Sequence, residues 1–443
     1  MANTYNYLKN VYQDIKLETK ENPAFLFLFL VLFTIPLGYA VNGMAVGLFA
    51  LVTLVTFKKK NFKVETNLVL PILLYLLMAV SILWSRDVEA TSRAISKVLP
   101  LLILPLAFMM MPKFSEVQKR KIIHYYSIGI LTFTLFYLIR ALIKFIATKD
   151  SSVFFYHELV TEDVNAIHVS VYVTLAFFCF FRKASKNIFD KVAMCILAGF
   201  IFLLSSKNIM LVFVLLVLFY ELFYFRATQK IKWITIILVL LLSGTVIFSS
   251  KIRDRFLIEF QSNQEEGTVN QNFKGGLVYN VSVQQAWSKD KFQPNEYFAG
   301  AAFRIYQMRI FKEMLQEDNI FFSGYGLNAT DFRIEEKAIE HNIFLGNAMH
   351  EGYQKKNFHN QYIQIFAETG VFGLLLLLLI VIVNLRKAIN TKDFIHFCFA
   401  VLMISLFLTE SFLARQRGVV FFTAIYCLFN SGYLQIPLNK NNL

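Results

Sequence analysis

The stretch Val371-Phe372-Gly373-Leu374-Leu375-Leu376-Leu377-Leu378-Leu379-Ile380-Val381-Ile382-Val383-Asn384-Leu385 carries no charge until Arg386 and Lys387 close it. A run this apolar, ended by two cations, reads as a membrane span, since crossing the hydrocarbon core takes roughly 20 mostly apolar residues. Runs of the same kind recur along the chain. Of its 443 residues 56% are hydrophobic, 48 are Phe, and the mean hydropathy is +0.52. A soluble domain of this size could not bury so much apolar surface.

About twelve spans follow from this reading. They lie near Ala24–Ala40, Val41–Phe57, Leu68–Trp84, Leu99–Met111, Ile122–Ile146, Val164–Phe181, Val192–Leu204, Met210–Phe225, Trp233–Ser249, Val371–Leu385, Phe394–Leu408 and Val419–Leu434. The first two are expected to form a hairpin turning at Val41-Asn42-Gly43. The first apolar run follows a polar start and is read as a retained signal anchor. The expected fold is an all-α polytopic membrane protein with a large, mainly helical extracytoplasmic loop. Its organisation would be spans one to nine in 1–249, the extracytoplasmic domain in 250–368 and spans ten to twelve in 369–443.

Loop charges give the orientation. Lys58, Lys59, Lys60 and Lys63, then Lys113, Lys119, Arg120 and Lys121, then Arg182, Lys183, Lys186 and Lys191, then Arg226, Lys230 and Lys232, and finally Arg386, Lys387 and Lys392 fall in alternate loops. The loop with Asp150, Glu158, Glu162 and Asp163 is acidic. The positive-inside rule then puts both termini in the cytoplasm. The same pattern accounts for the net charge of +14 without nucleic acid. Cys179, Cys195, Cys398 and Cys427 sit in apolar stretches and fit neither a disulfide framework nor a zinc site.

Four features on the expected outer side could carry chemistry. In the interval from Lys251 to Glu368, a surface helix is expected at Lys251–Phe260, a flexible loop at Ser262–Gly276 and an amphipathic helix at Ala301–Gln316. Phe303, Tyr306, Met308, Ile310, Phe311, Met314 and Leu315 would form its apolar face. Arg304 projects from within that face, so it needs an anion, either a substrate phosphate or a structural carboxylate. His359, before the tenth span, fits a general base or a plain interface residue. Lys207 interrupts two apolar runs and either snorkels or meets a phosphate. Arg415 and Arg417 defy the positive-inside bias beside Glu410, where an Arg–Glu ion pair is the simpler reading. His341, His350 and His359 recur every nine residues, which matches no zinc-ligand spacing. Gly324-Tyr325-Gly326 reads as a turn, and His157 and His168 read as plain interface residues or as lining for an acceptor site.

The string His359-Asn360…Glu368-Thr369-Gly370-Val371-Phe372-Gly373-Leu374, following Arg304 and the Gly324-Tyr325-Gly326 turn, resembles the signature region of the O-antigen ligase family. That family also includes polysaccharide polymerases and protein O-oligosaccharyltransferases. The resemblance implies a GT-C-like fold and inverting glycosyl transfer without metal or other cofactor. The donor would be an undecaprenyl-diphosphate-linked glycan and the acceptor the lipid A–core oligosaccharide, at the periplasmic face of the bacterial inner membrane. It implies His359 and Arg304 as catalytic residues, with Arg304 on the diphosphate. Lys207 stands where the family often has Arg, which keeps the charge but loses the bidentate fork. Arg415 and Arg417 are expected on the diphosphate by position, with Glu410 and Asn360 in support. A polymerase using the same donor is the alternative. A flippase fits less well, because the spans are nearly free of charge and no repeat of halves is visible.

Overall fold

The structure, a computed structural model, describes residues 2–224, 279–347 and 351–432. The predicted ninth span, the Lys251–Phe260 helix, the Ser262–Gly276 loop, His350 and the basic residues Arg226, Lys230 and Lys232 lie outside the described residues. Within them the chain is mostly helical. Helices lie over every other predicted span. Four, at Thr66–Leu83, Val88–Met110, Glu116–Thr148 and Gln361–Thr391, are long and apolar enough to cross a membrane. Ala24–Phe33, Tyr39–Val55, Ala166–Phe181 and Phe394–Phe407 are shorter apolar helices.

Two differences from the sequence reading have local causes. The first hairpin turns at Thr34–Gly38, not at Val41–Gly43. Pro36 has no N–H to continue a helix and biases Ile35 away from helical geometry. Asn42 is therefore a buried residue of the second helix, where its amide donates to Val31 O at 2.9 Å and Thr34 Oγ1 at 3.0 Å. In the second case, a polar helix at Val88–Val98 precedes the predicted fourth span. Asp87 caps it by accepting from Ala90 N at 2.8 Å. Its charged residues hide it from a search for apolar runs.

The bundle has two chemically distinct ends. At one, Lys113 pairs with Glu65 at 2.5 Å, Lys183 with Asp190 at 2.6 Å and Arg182 with Asp393 at 3.4 Å. Lys119 and Lys387 there reach the carbonyls that end the Gln416–Asn430 helix. The basic loops at 113–121, 182–191 and 386–392 thus share one end. At the other end, Arg417 donates to Leu37 O at 3.0 Å and to Asp163 O, and its guanidinium lies 4.2 Å from the Tyr39 ring centre. Trp84 donates to Ser323 O at 2.8 Å, and Thr91 to Leu327 O at 2.7 Å, which fastens the 279–367 segment to this end.

That segment has its own core, distinct from the core of the bundle. Phe292, Phe298, Tyr306, Ile310, Met314 and Tyr325 are among its buried residues. Two short parallel strands, Tyr279–Val281 and Glu296–Phe298, pair with Tyr279 opposite Glu296. The Gly300–Glu317 helix buries Ala302, Phe303, Tyr306, Gln307, Ile310, Phe311 and Met314. Met308, expected on that face, is 41% exposed, and Gln307 takes its place in the core. The buried stripe runs 303, 306, 307, 310, 314, and Met308 lies about 140° of helix rotation from Phe303, off the stripe.

The segment docks on a break in the Gln361–Thr391 helix. Gly370 is non-helical, with φ 69° and ψ −169°. The carbonyls of Ala367 and Glu368 are captured by Tyr325 N at 2.8 Å and Gly326 N at 2.9 Å, and Val371 N donates to Phe321 O at 2.8 Å. The Gly324-Tyr325-Gly326 turn is present as expected, with positive φ at both glycines. A Cβ at Gly370 would lie 2.1 Å from Phe322 O, so a glycine is needed there for both conformation and contact.

Candidate active site

The Gln361–Thr391 helix begins with Asn360, whose side chain caps it by accepting from Tyr362 N at 3.0 Å and Ile363 N at 3.2 Å. His359, one residue earlier, has a positive φ of 47°, a conformation uncommon outside glycine. Its backbone N–H donates to Asn357 Oδ1 at 3.1 Å, and its ring stands edge-on to Phe303 at 5.7 Å.

Facing His359 is the break between the Phe394–Phe407 and Gln416–Asn430 helices, which carries Thr409 and Glu410. Glu410 is 6% exposed. It sits 3.4 Å from His359 Nδ1 and 3.3 Å from Arg304 Nη2. Arg304 also donates through Nε to Thr409 O at 2.9 Å and through Nη1 to Gly300 O at 2.9 Å. The anion that Arg304 requires within the protein is therefore Glu410. Burial alone would push Glu410 up. The His359 hydrogen bond, the charge of His359 and the Arg304 guanidinium outweigh it and hold the carboxyl below its ordinary value.

These three side chains open onto a cavity of about 680 Å³. Lys207, Asn208, Lys356, Tyr156, Tyr297 and Tyr353 also line it. Lys207 starts the Lys207–Phe223 helix, and Asn208 next to it donates to Ser405 O and Thr409 Oγ1, both at 2.9 Å. The 206–208 turn is thus fixed beside the Thr409–Glu410 segment.

The geometry brings together Arg304, His359, Glu410 and Lys207, four of the residues singled out in the sequence. Asn360 joins them from behind, donating to Leu408 O at 3.3 Å. It does not bring Arg415 or Arg417 to the cavity. Arg417 is buried and holds two loop carbonyls. Arg415 is exposed at the start of the last helix and is not among the lining residues. The partner of Glu410 is accordingly Arg304 and not either of these arginines. His168 is buried against Phe412, with ring centres 4.4 Å apart, while His341 contacts Tyr306 at 3.1 Å and Glu313 at 3.2 Å inside the small core.

Sequence reasoning missed two glutamines that align the site. Gln361 Oε1 accepts from Leu413 N at 2.7 Å. Gln364 donates to Glu368 at 2.7 Å, which turns its carbonyl oxygen toward Phe358 N and Ser411 Oγ, each at 3.4 Å. One helical turn therefore holds the peptide before His359 and the peptide after Glu410. Their spacing three residues apart in an otherwise apolar entry was the only signal available.

Fold and site together define a helical, membrane-embedded protein with a cavity of paired charges at one end of its bundle. Residues 192–378, fewer than half of the chain's 443, match the family model described as O-antigen ligase. The matched segment contains Lys207, Arg304 and His359 and ends before Glu410. No curated protein matches the chain at a significant level.

Proposed function

We propose that this protein is an O-antigen ligase that transfers a glycan from undecaprenyl diphosphate to the lipid A–core oligosaccharide at the periplasmic face of the inner membrane. The observation that carries the reading is the chain of contacts from Arg304 through buried Glu410 to His359 at the wall of one cavity. A carboxylate against Nδ1 favours the tautomer that carries its proton there, leaving Nε2 as the basic atom. An acceptor hydroxyl at Nε2 gives up its proton as its oxygen attacks the anomeric carbon. The bond from that carbon to the diphosphate oxygen breaks on the opposite face, so the configuration inverts. The electron pair leaves with the lipid diphosphate, and Arg304 and Lys207 stabilise the charge that develops on it. A diphosphate is already a good leaving group, so this chemistry asks for no metal.

The cavity lies where the bundle meets the 279–367 segment, which suits one substrate arriving from the lipid and another from the aqueous side. The orientation rests on the loop charges: the end with Lys113, Lys119, Arg182 and Lys387 is taken as cytoplasmic, with both termini, and the His359 end as periplasmic. A strain lacking the protein, analysed for surface lipopolysaccharide and for lipid-linked glycan, tests the reading. Bare core, with long polymerised glycan left on undecaprenyl diphosphate, is the expected outcome. Core capped by a single repeat, with no long chains anywhere, would make the protein a polymerase instead.

A further inference from the structure

A second cavity, of about 330 Å³, lies at the other end of the same helices. The Gln361–Thr391 helix starts beside His359 and reaches this cavity with Thr391 and Lys392, roughly 45 Å away along its axis. The Phe394–Phe407 helix starts here and runs back toward Glu410.

Five basic residues line the cavity, namely Lys119, Arg120, Arg182, Lys387 and Lys392, against two acids, Glu116 and Asp393. Asp393 is engaged by Arg182 at 3.4 Å. The deep part of the site holds one buried and one half-buried lysine. Lys119 is 6% exposed and donates to Ser431 O at 3.1 Å, while Lys387 donates to Asn430 O at 2.7 Å and to the same Ser431 O at 3.3 Å. Two ammonium groups thus converge on one carbonyl. Capping the end of the Gln416–Asn430 helix explains the attraction of each cation, but not the crowding of both. Glu65 and Glu116 act on both lysines, but Glu65 already pairs with Lys113 at 2.5 Å, so the cations at this end outnumber their carboxylates and an anion in the cavity would relieve the excess.

His396, 1% exposed, adds a polar floor. It contacts Asn384 at 2.9 Å, which accepts from Asn430 at 2.7 Å, and it stacks on Phe429 at 4.6 Å. The walls are apolar, with Ile123, Phe394 and Ile395. Cations at the floor and rim with apolar walls between helices suit a phosphate attached to a hydrocarbon chain.

We propose that this cavity binds the phosphate of an anionic phospholipid headgroup, at a site separate from the glycan-transfer cavity. The test uses the full-length protein in mixed micelles with fluorescent phosphatidylglycerol, phosphatidylcholine as the control lipid and inorganic phosphate as competitor. Arg120 and Lys392 are exposed rim residues, so the double variant Arg120→Gln/Lys392→Gln is expected to fold. It should lose phosphatidylglycerol affinity roughly thirtyfold, with phosphatidylcholine binding unchanged. Lys387→Gln should add to the loss, and its retained elution volume in gel filtration separates binding from misfolding. If inorganic phosphate displaces the lipid fully from the wild-type protein, the site stands as a phosphate site whose ligand can be soluble. If it does not, the lipid is the ligand. Equal phosphatidylglycerol affinity for wild type and the double variant would overturn the proposal.

Discussion

Glu410 is the residue on which the site turns, since it is buried, ionised and shared between a guanidinium and an imidazole. Its replacement by Gln keeps the shape and removes the charge. Glu410→Gln should lower kcat for glycan transfer by about 10- to 100-fold with a smaller change in KM, because it weakens a base without removing it. Its carboxyl is held below the ordinary value, so the stability it contributes is fully present above the unfolded value of about 4.3 and is lost as pH falls through the lower folded value. The difference in thermal midpoint between wild type and Glu410→Gln should therefore be constant above about pH 5 and shrink on acidification below that. A constant difference down to pH 3 would mean that Glu410 is not titrating as described. Arg304→Lys keeps a charge but cannot reach Thr409 O, Gly300 O and Glu410 together, and should cost transfer about 10-fold or more in kcat/KM.

The Gln361–Thr391 helix is the element that sets the site. Asn360 caps it, Gln361 and Gln364 hold the 411–413 chain, and Gly370 admits the docking turn. Gln364→Leu, of similar size, should reduce kcat with little effect on KM, and Gln364→Glu should not rescue it, since Glu368 lies 2.7 Å from the amide. Gly370→Ala forces a Cβ into a positive-φ position against Phe322 O and should destabilise the protein by about 1–3 kcal/mol, read as a lower thermal midpoint in detergent. An unchanged midpoint would show that the break in the helix is not required. Much at this scale was legible in the sequence. Apolar runs mark the helices because lipid-facing and core-facing residues share one chemistry, so Leu374–Leu379 could be read directly. The turn at Pro36 and the polar Val88–Val98 helix could not, since neither is set by hydropathy. Met308 was expected inside and lies outside because a broad apolar face hides which residue of it meets the partner.

For the whole molecule, His359, Glu410 and Lys207 stood out as polar residues at predicted span ends, and Arg304 on the helix of the intervening loop, all on one expected side. Their convergence needed the fold, because 51 residues separate His359 from Glu410 and only packing pairs them. Arg417 stood out by the same test and proved to be a loop tether, so an unusual charge at a span end is not by itself a site. The two ends of the bundle also carry the orientation. Single cysteines placed at Lys392 should resist a membrane-impermeant thiol reagent in cells with an intact inner membrane, whereas cysteines at Lys356 should react once the outer membrane is opened. The reverse pattern would invert the assignment and move the transfer site to the cytoplasm. The most direct measurement of the central claim is glycan transfer by purified, membrane-reconstituted protein, with lipid-linked glycan as donor and lipid A–core as acceptor, for wild type and His359→Ala. Wild type should transfer, and a His359→Ala protein that folds and inserts normally should lose at least about 100-fold in rate. Transfer at the wild-type rate by that variant would contradict the claim.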